Sequence, residues 1–172
     1  MMKKNHLLKL SLTILTVCFA FLLVACGQKE DVTYYQRIDQ SNQFDMRLTY
    51  YHKGDVVTKQ TTENFISYKS LGIDESQEEQ KNAAKAKIEE LSKQYQTVKG
   101  IKEKVTYEKN GVKETVEINF NKVDFDKLAT LPGMYTDKNT RKSKKVSMKS
   151  SKELLTSKGF KEITDGKFEK LK

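Results

Sequence analysis

Residues 44–69, FDMRLTYYHKGDVVTKQTTENFISYK, decide the fold of this chain. From Phe44 to His52, apolar side chains alternate with polar ones, which is the period of a strand that buries one face. Lys53-Gly54-Asp55 supplies residues typical of a tight turn, and Val56 to Lys69 is rich in β-branched and aromatic residues. The stretch therefore predicts two antiparallel strands joined as a hairpin.

Downstream of this hairpin, Asp74 to Val98 predicts one long helix. Apolar side chains recur there at steps of three and four residues, as on one face of a helix, and they are Ala84, Ile88, Leu91, Tyr95 and Val98. Ser76 and Glu79 have the spacing of a capping box at its start. Gly100 can adopt the left-handed conformation that ends a helix.

A second hairpin follows the helix. Ile101 to Tyr107 and Val112 to Phe120 flank Asn110-Gly111, a dipeptide typical of hairpin turns. Glu103 and Glu114 interrupt the apolar phase of these two strands. We expect each of them at a strand end or a sheet edge, although the pattern does not indicate their purpose.

The order of elements predicts the fold class. The remaining elements are expected to be a strand at 32–38, a helical turn capped by Asp124, a polar loop at 137–145, a short strand at 146–148, a helix with a Ser150 and Glu153 capping box, and a final short strand. This order predicts an α+β two-layer sandwich. Its sheet is mainly antiparallel, with one long and one or two short helices on one face.

The start of the chain predicts export. Residues 1–9 form a short basic region with Lys3, Lys4 and Lys9, and residues 10–25 are apolar. The apolar run is shorter than the about 20 residues of a permanent membrane span. Leu23-Val24-Ala25-Cys26-Gly27 resembles the bacterial lipobox, which implies cleavage before Cys26 and a diacylglycerol on its thiol. An ordinary secretory signal is the alternative. Two or more acyl chains would hold the protein on a bilayer.

These features predict the domain organisation and the location. We expect a cleaved lipoprotein signal peptide at 1–25, a lipidated tether at 26–31 and a single α+β domain at 32–172. The predicted location is the extracytoplasmic face of the cell membrane. The chain has 29 lysines against 3 arginines, which is typical of an AT-rich genome and hints at a Gram-positive host.

Four blocks of the chain resemble a known family. They are YYHKGDVVTKQ at 50–60, VKGIKEKVTY at 98–107, KVDF at 122–125 and KGFKE at 158–162. In this order they resemble the YehR-like family of small bacterial lipoproteins of unknown function. The resemblance implies a lipoprotein with a two-layer α/β domain, and no established activity, cofactor or catalytic residue.

The residue inventory argues against an enzyme. After cleavage the chain keeps one histidine, His52, and no cysteine other than Cys26, so nucleophilic triads and zinc sites lack their residues. We therefore expect no catalytic residue, no metal and no cofactor. Paired carboxylates remain, such as Glu78 with Glu79 or Asp124 with Asp126, and they keep a carboxylate-based envelope hydrolase open as an alternative.

Charge and aromatic residues indicate candidate binding surfaces. The chain carries a net charge of +9, and residues 138–172 hold 12 basic against 4 acidic residues. A candidate anionic-surface contact consists of Lys138, Arg141, Lys142, Lys144 and Lys145. Tyr51 lies on the outward phase of its strand and is a candidate aromatic surface. Nucleic acid is not an expected partner, because export separates the protein from it.

The function predicted from the sequence is a non-enzymatic binding or interaction domain at the cell envelope. Its expected partners are the membrane through the lipid on Cys26, and an anionic envelope polymer or another exported protein. A small solute-binding accessory lipoprotein of a transporter is the alternative. That alternative and the hydrolase both require a deep pocket, and the predicted mature length of 147 residues is too short for a two-lobed solute-binding protein.

Overall fold

The fold is an antiparallel sheet with helices packed on one face. The structure is a computed structural model that describes residues 29–74, 76–134 and 138–172. Its strands are β1 Asp31–Asp39, β2 Phe44–Lys53, β3 Val56–Ser67, β4 Ile101–Glu108, β5 Gly111–Asn119, β6 Val146–Ser147 and β7 Lys161–Ile163. Its helices are α1 Glu78–Gln96, α2 Phe125–Leu128, α3 Lys138–Ser143 and α4 Met148–Ser157, followed by a 3-10 turn at Thr164–Gly166. The predicted signal peptide and the lipid site at Cys26 lie outside the described residues.

The strands are ordered β4-β5-β3-β2-β1-β7, and β6 pairs with the start of β3. Every pairing is antiparallel. Both predicted hairpins form, as β2 with β3 and as β4 with β5. The predicted α+β two-layer architecture is therefore confirmed.

One end of the sheet lies where β1 begins, directly after the predicted tether, and we call it the tether end. Asp31, the first residue of β1, is the register partner of His52 on β2. His52 pairs with Val57 on β3, and Val57 pairs with Val146 on β6. The segment that leads from α3 into β6 therefore reaches the same end of the sheet as the tether.

Helix α4 starts earlier than the sequence predicts. The cap is Ser147, whose Oγ accepts a hydrogen bond from the backbone N–H of Ser150 at 3.1 Å. Asp55, in the β2–β3 turn, accepts from Ser147 Oγ and from the backbone N–H of Lys149, both at 2.8 Å. The predicted capping box at Ser150 is wrong, because this tertiary contact fixes the helix start one turn upstream.

Two further local predictions are wrong. The capping box at the start of α1 does not form, because Ser76 Oγ donates instead to Asp74 Oδ1 at 2.7 Å and Gln77 is the cap residue. Residues 138–143, predicted as part of a loop, form the short helix α3. As a result, the described residues contain three short helices besides α1, where one or two were expected.

Gly111 has a different role from the predicted one. It belongs to β5 rather than to the turn, and its φ is not positive. A Cβ at this position would lie 2.4 Å from the carbonyl oxygen of Ile66 on β3. The glycine is needed because two strands approach closely, not because a turn requires a left-handed residue.

Candidate functional site

A cleft of about 480 Å³ lies on the helix-bearing face of the sheet. Its floor is formed by β2, β3 and β5. The end of α1, α2 and Gly133 with Met134 form one wall, and α3, β6 and α4 form the other. We call this feature the cleft.

The spacing of the helices explains why the cleft exists. Helix α1 packs on β4, and α4 lies near β1 and β7, where Lys152 Nζ donates to Glu162 Oε2 at 2.7 Å. Strands β4 and β1 are four strand spacings apart, or about 19 Å at about 4.8 Å per strand. Directly packed helices lie about 8–10 Å apart. The centre of the sheet is therefore left without a helix of its own.

The floor of the cleft is polar where β3 crosses it. Gln60, Thr62 and Asn64 line the cleft from this central strand, and Thr62 and Asn64 are 9% and 8% exposed. Around them the cleft is apolar, with Leu48 on β2 and Val116 on β5. The cleft therefore combines an apolar body with a band of hydrogen-bonding groups. None of the sequence patterns above predicts this band, although β3 lacks an apolar phase between Thr58 and Asn64.

Asn64 and Glu114 are register partners across β3 and β5. Asn64 Nδ2 donates to Glu114 Oε2 at 2.8 Å. Asn64 Oδ1 is buried and has no hydrogen-bond partner among the described residues. Burying such an acceptor without a donor costs on the order of 1–3 kcal/mol, which is unusual in a stable core.

Glu103 on β4 stands behind Glu114, with its carboxyl group in hydrogen-bonding contact with Glu114 and with Ser92 of α1. Burial raises the pKa of Glu103, the contact with Glu114 raises it further, and the Ser92 hydrogen bond acts in the opposite direction. Glu103 Oε2 is a second buried acceptor without a donor among the described residues. The expectation of an edge position fits Glu103 on the outermost strand β4, but it is wrong for Glu114, which lies between β4 and β3.

Tyr95 lines the cleft close to Glu114 and Glu103 and is hydrogen-bonded to the wall of the cleft. Its hydroxyl donates to the carbonyl of Pro132, which ties the end of α1 to the segment after α2. Burial, with the nearby Glu114 and Glu103, raises the pKa of Tyr95 to about 12. The phenol is therefore neutral at physiological pH.

The predicted basic residues are all on the surface. Lys138, Arg141, Lys142, Lys144 and Lys145 are exposed, on α3 and on the segment that follows it. None of the five forms an ion pair with another described residue. Their positions leave the charges available to a partner.

The other predicted residues lie away from the cleft. Tyr51 is on the opposite face of the sheet, half-buried, with Lys59 Nζ 3.7 Å from its ring centroid. His52 is at the tether end, where its ring nitrogens contact Thr33 Oγ1 at 2.9 Å and the carbonyl of Gly54 at 2.8 Å. Of the carboxylate pairs, Glu78 accepts from Lys81, and Asp124 caps α2.

Two observations concern only residues 29–74, 76–134 and 138–172. No helix in these ranges is long and apolar enough to cross a bilayer. No group of three or more His, Cys, Asp or Glu side chains in these ranges is arranged to hold a metal ion.

Comparison with known proteins identifies the family. Residues 30–161 match the family described as a protein of unknown function, DUF1307. The chain belongs to the DUF1307 family. An uncharacterized lipoprotein of Listeria innocua, Lin0239, is 40% identical over 91% of this chain and 97% of its own length. The uncharacterized lipoprotein YehR of Escherichia coli is 32% identical over 90% of this chain and 96% of its own length.

Solved structures agree with the architecture. The NMR structure of Escherichia coli YehR has a TM-score of 0.63 and 30% identity, and the match covers 81% of this chain and 94% of that one. An NMR structure of a protein from Streptococcus pneumoniae has a TM-score of 0.53 at 14% identity over 81% of this chain and 88% of that one, and it shows a shared fold only. The resemblance to YehR-like lipoproteins is thereby confirmed, and this DUF1307 protein is a membrane-anchored lipoprotein of the cell envelope.

Proposed function

We propose that this protein is a non-enzymatic, lipid-anchored binding protein that receives a small amphipathic ligand in the cleft. The observation that carries the proposal is the cleft itself, a cavity of about 480 Å³ above a polar strip of the central strand. Pockets for small ligands measure roughly 300–1,000 Å³ and combine apolar walls with a few polar groups. The cleft has this size and this composition. It is the deep pocket that the solute-binding alternative requires.

Stability alone does not account for the polar floor. Gln60, Thr62 and Asn64 occupy the centre of the sheet, where apolar side chains would stabilise the fold by about 25 cal/mol per Å² of buried apolar surface. Violations of this pattern are expected at functional sites, where stability is lost in exchange for recognition. A ligand that hydrogen-bonds to these groups gives their position a purpose.

The carboxylate pair of Glu114, which lines the cleft, and Glu103, which lies behind it, favours binding over hydrolysis. Glu103 and Glu114 are in hydrogen-bonding contact with each other. Glycoside hydrolases, the class of carboxylate enzyme considered for this chain, separate their two carboxylates by roughly 5–9.5 Å, so that a sugar or a water fits between. His52 is hydrogen-bonded at the tether end and does not line the cleft. The geometry therefore supports a binding role.

The proposed domain organisation follows the sequence: a signal peptide at 1–25, a tether at 26–31 with lipid on Cys26, and one domain at 32–172. The basic residues from Lys138 to Lys145 precede β6, which lies at the same end of the sheet as the start of β1, with β2 and β3 between them. Exposed apolar side chains at this end are those of Val32 and Val56. We propose that this end rests on the membrane, and that its cations contact anionic headgroups or envelope polymers at about 1 kcal/mol per residue at best.

The test of the cleft uses the mature lipoprotein in nonionic detergent with three probes: 2-phenylethylamine, 2-phenylethanol and 3-phenylpropanoate. Binding is measured as the rise in melting temperature with probe concentration. Ser150→Trp places a large ring at the wall of the cleft, whereas Thr156→Trp places it on an exposed position of the same helix that does not line the cleft. We expect at least one probe to stabilise the wild-type protein and Thr156→Trp but not Ser150→Trp. Stabilisation of Ser150→Trp equal to wild type, or of no variant by any probe, would refute cleft binding.

The test of the membrane contact uses the lipoprotein reconstituted in phosphatidylglycerol or phosphatidylcholine vesicles. Hydrogen exchange of amides 138–149 should be slower on the anionic vesicles at low salt, because the basic segment is then covered. Changing the five predicted basic residues to Gln should abolish this difference. A charge-matched control changes exposed lysines at other positions, Lys109, Lys113, Lys158, Lys170 and Lys172. Equal exchange on the two lipids in wild type, or equal loss in both variants, contradicts the contact.

The lipid site has its own test. Cys26→Ser should move the protein from the membrane fraction to the soluble extracytoplasmic fraction, because the thiol that carries the diacylglycerol is absent. Retention of the variant in a salt-washed membrane fraction would contradict anchoring through Cys26.

A further inference from the structure

We propose that the ligand of the cleft carries a protonated amine, which pairs with Glu114 and donates a hydrogen bond to Asn64 Oδ1. This inference rests on the proposed function and names the chemical class of the ligand. The amine head would lie on the polar floor, and an apolar body would lie against the walls.

The side chain of Asn64 has one hydrogen-bonding group in use and one unpaired among the described residues. Its Nδ2 is committed to Glu114 Oε2 at 2.8 Å, so the amide oxygen lies on the other side of the side chain. Asn64 is 8% exposed and lines the cleft, and its Oδ1 has no partner among the described residues. Buried acceptors are nearly always paired. A ligand that pairs with Asn64 Oδ1 is therefore a hydrogen-bond donor.

The charge of the residues that line the cleft favours a cationic ligand. Among the described residues that line the cleft, Glu114 is the only acidic one, and none is Lys, Arg or His. This is unusual in a chain with 32 Lys and Arg residues. Lys113, the chain neighbour of Glu114, is exposed on the other face of β5. The described lining therefore offers an anionic ligand no counter-charge, whereas it offers a cation the carboxylate of Glu114.

Glu103 lies next to Glu114 and adds to the negative charge there. Its carboxyl group touches Glu114, and its Oε2 is a further buried acceptor without a donor. Two carboxyl groups in contact repel each other when both are ionised, unless a proton or a cation lies nearby. Glu103 therefore increases the preference of Glu114 for a positive partner, although Glu103 itself does not line the cleft.

The polar groups on the floor of the cleft match the donors of an ammonium head group. An ammonium group has three N–H donors, and the floor offers the Glu114 carboxylate, Asn64 Oδ1 and the hydroxyl of Thr62 on one strip. Leu48, Val116 and Leu154 line the cleft around this strip and suit an apolar body. Calcium prefers six to eight oxygen ligands, more than these side chains provide.

The experiment compares the three probes, which share a phenyl ring and a short alkyl linker and differ in the head group. We expect 2-phenylethylamine to bind at least about tenfold more tightly than 2-phenylethanol at pH 7, a difference of about 1.4 kcal/mol. We expect 3-phenylpropanoate to bind most weakly. Glu114→Gln, which keeps the shape of the side chain, should reduce the affinity for the amine to that for the alcohol. Glu117→Gln, on the same strand but the opposite face, is the matched control and should leave both affinities unchanged.

The outcomes separate this inference from the proposed function. Binding of all three probes with equal affinity, blocked by Ser150→Trp, supports the cleft and overturns the amine preference. Binding of no probe overturns both. Stabilisation by calcium chloride alone that is lost in Glu114→Gln would overturn the amine in favour of a metal ion. Amine binding that is retained in Glu114→Gln would also overturn the assignment.

Discussion

Replacing Glu103 by Gln is expected to stabilise the protein near neutral pH and to have little effect near pH 4. The wild-type carboxyl group is in contact with Glu114, and its Oε2 has no donor. The Gln side chain has nearly the same shape, carries no charge and can donate an N–H to Glu114. The substitution therefore removes a repulsion without opening a cavity.

The sign of the pH dependence follows from the raised pKa of Glu103. Burial, with Glu114, raises this pKa, so the folded state favours the protonated form more strongly than the unfolded state does. The stability that this form provides is complete below the unfolded pKa of about 4.3, and it is lost as the pH rises through the folded pKa. Tyr95 and Tyr107 sense the charge of Glu103, but the pKa of each is raised, so both stay protonated over this range.

The magnitude follows from the repulsion that is removed. Two like charges about 4 Å apart cost about 1 kcal/mol in water and about 4 kcal/mol near a protein surface, and the half-buried Glu103 belongs at the low end of this range. We expect a gain of about 1 kcal/mol at pH 7.5, or roughly 2–4 °C in melting temperature for a chain of this size. Urea unfolding at pH 4 and at pH 7.5, followed by circular dichroism, measures the difference.

The control substitution, Glu117→Gln, is expected to change the stability in the opposite direction. Glu117 accepts from Lys102 Nζ at 2.9 Å, and this hydrogen bond lowers the pKa of Glu117. Its contribution is present above the unfolded pKa and is lost in acid, so Glu117→Gln should destabilise the protein at pH 7.5 by at most about 1 kcal/mol. If Glu103→Gln were instead less stable than wild type at pH 7.5 and equal to it at pH 4, the ionised Glu103 would be stabilising and the reasoning would be wrong.

Three further predictions concern the frame around the cleft. Gly111→Ala should destabilise the protein by about 1–3 kcal/mol in urea, because its Cβ would lie 2.4 Å from the Ile66 carbonyl; an unchanged midpoint contradicts this. Asp55→Asn should speed hydrogen exchange at the start of α4 at pH 7. Hydrogen bonds from Lys149 and Ser147 lower the pKa of Asp55, so this effect should disappear as the pH falls through that pKa. An effect that does not depend on pH would argue against a role for the charge. Deleting residues 167–172 should lower the melting temperature, because Gln36 Nε2 and Arg47 Nη2 both donate to the Glu169 carbonyl at 3.0 Å; equal melting temperatures would show that this tail is dispensable.

Local sequence patterns were sufficient for most of the architecture. The alternation from Phe44 to His52 and around Asn110-Gly111 predicted the two hairpins, because the period of a strand is a local property. The three- and four-residue spacing before Val98 predicted α1 for the same reason. The helix starts were predicted less well. At α4, Ser147 rather than Ser150 caps the helix, because Asp55, which lies far away in the chain, holds Ser147 and Lys149.

The sequence by itself determined the strand and helix periods, the export signal with its lipobox and the family resemblance, all of which depend on residues that are neighbours in the chain. Only the tertiary structure brought Asn64 and Glu114 together under a gap between two helices, with Glu103 from a third strand beside them. It also brought the basic segment to the tether end. Strand order and helix spacing decide which residues share a surface, and no local pattern contains that information.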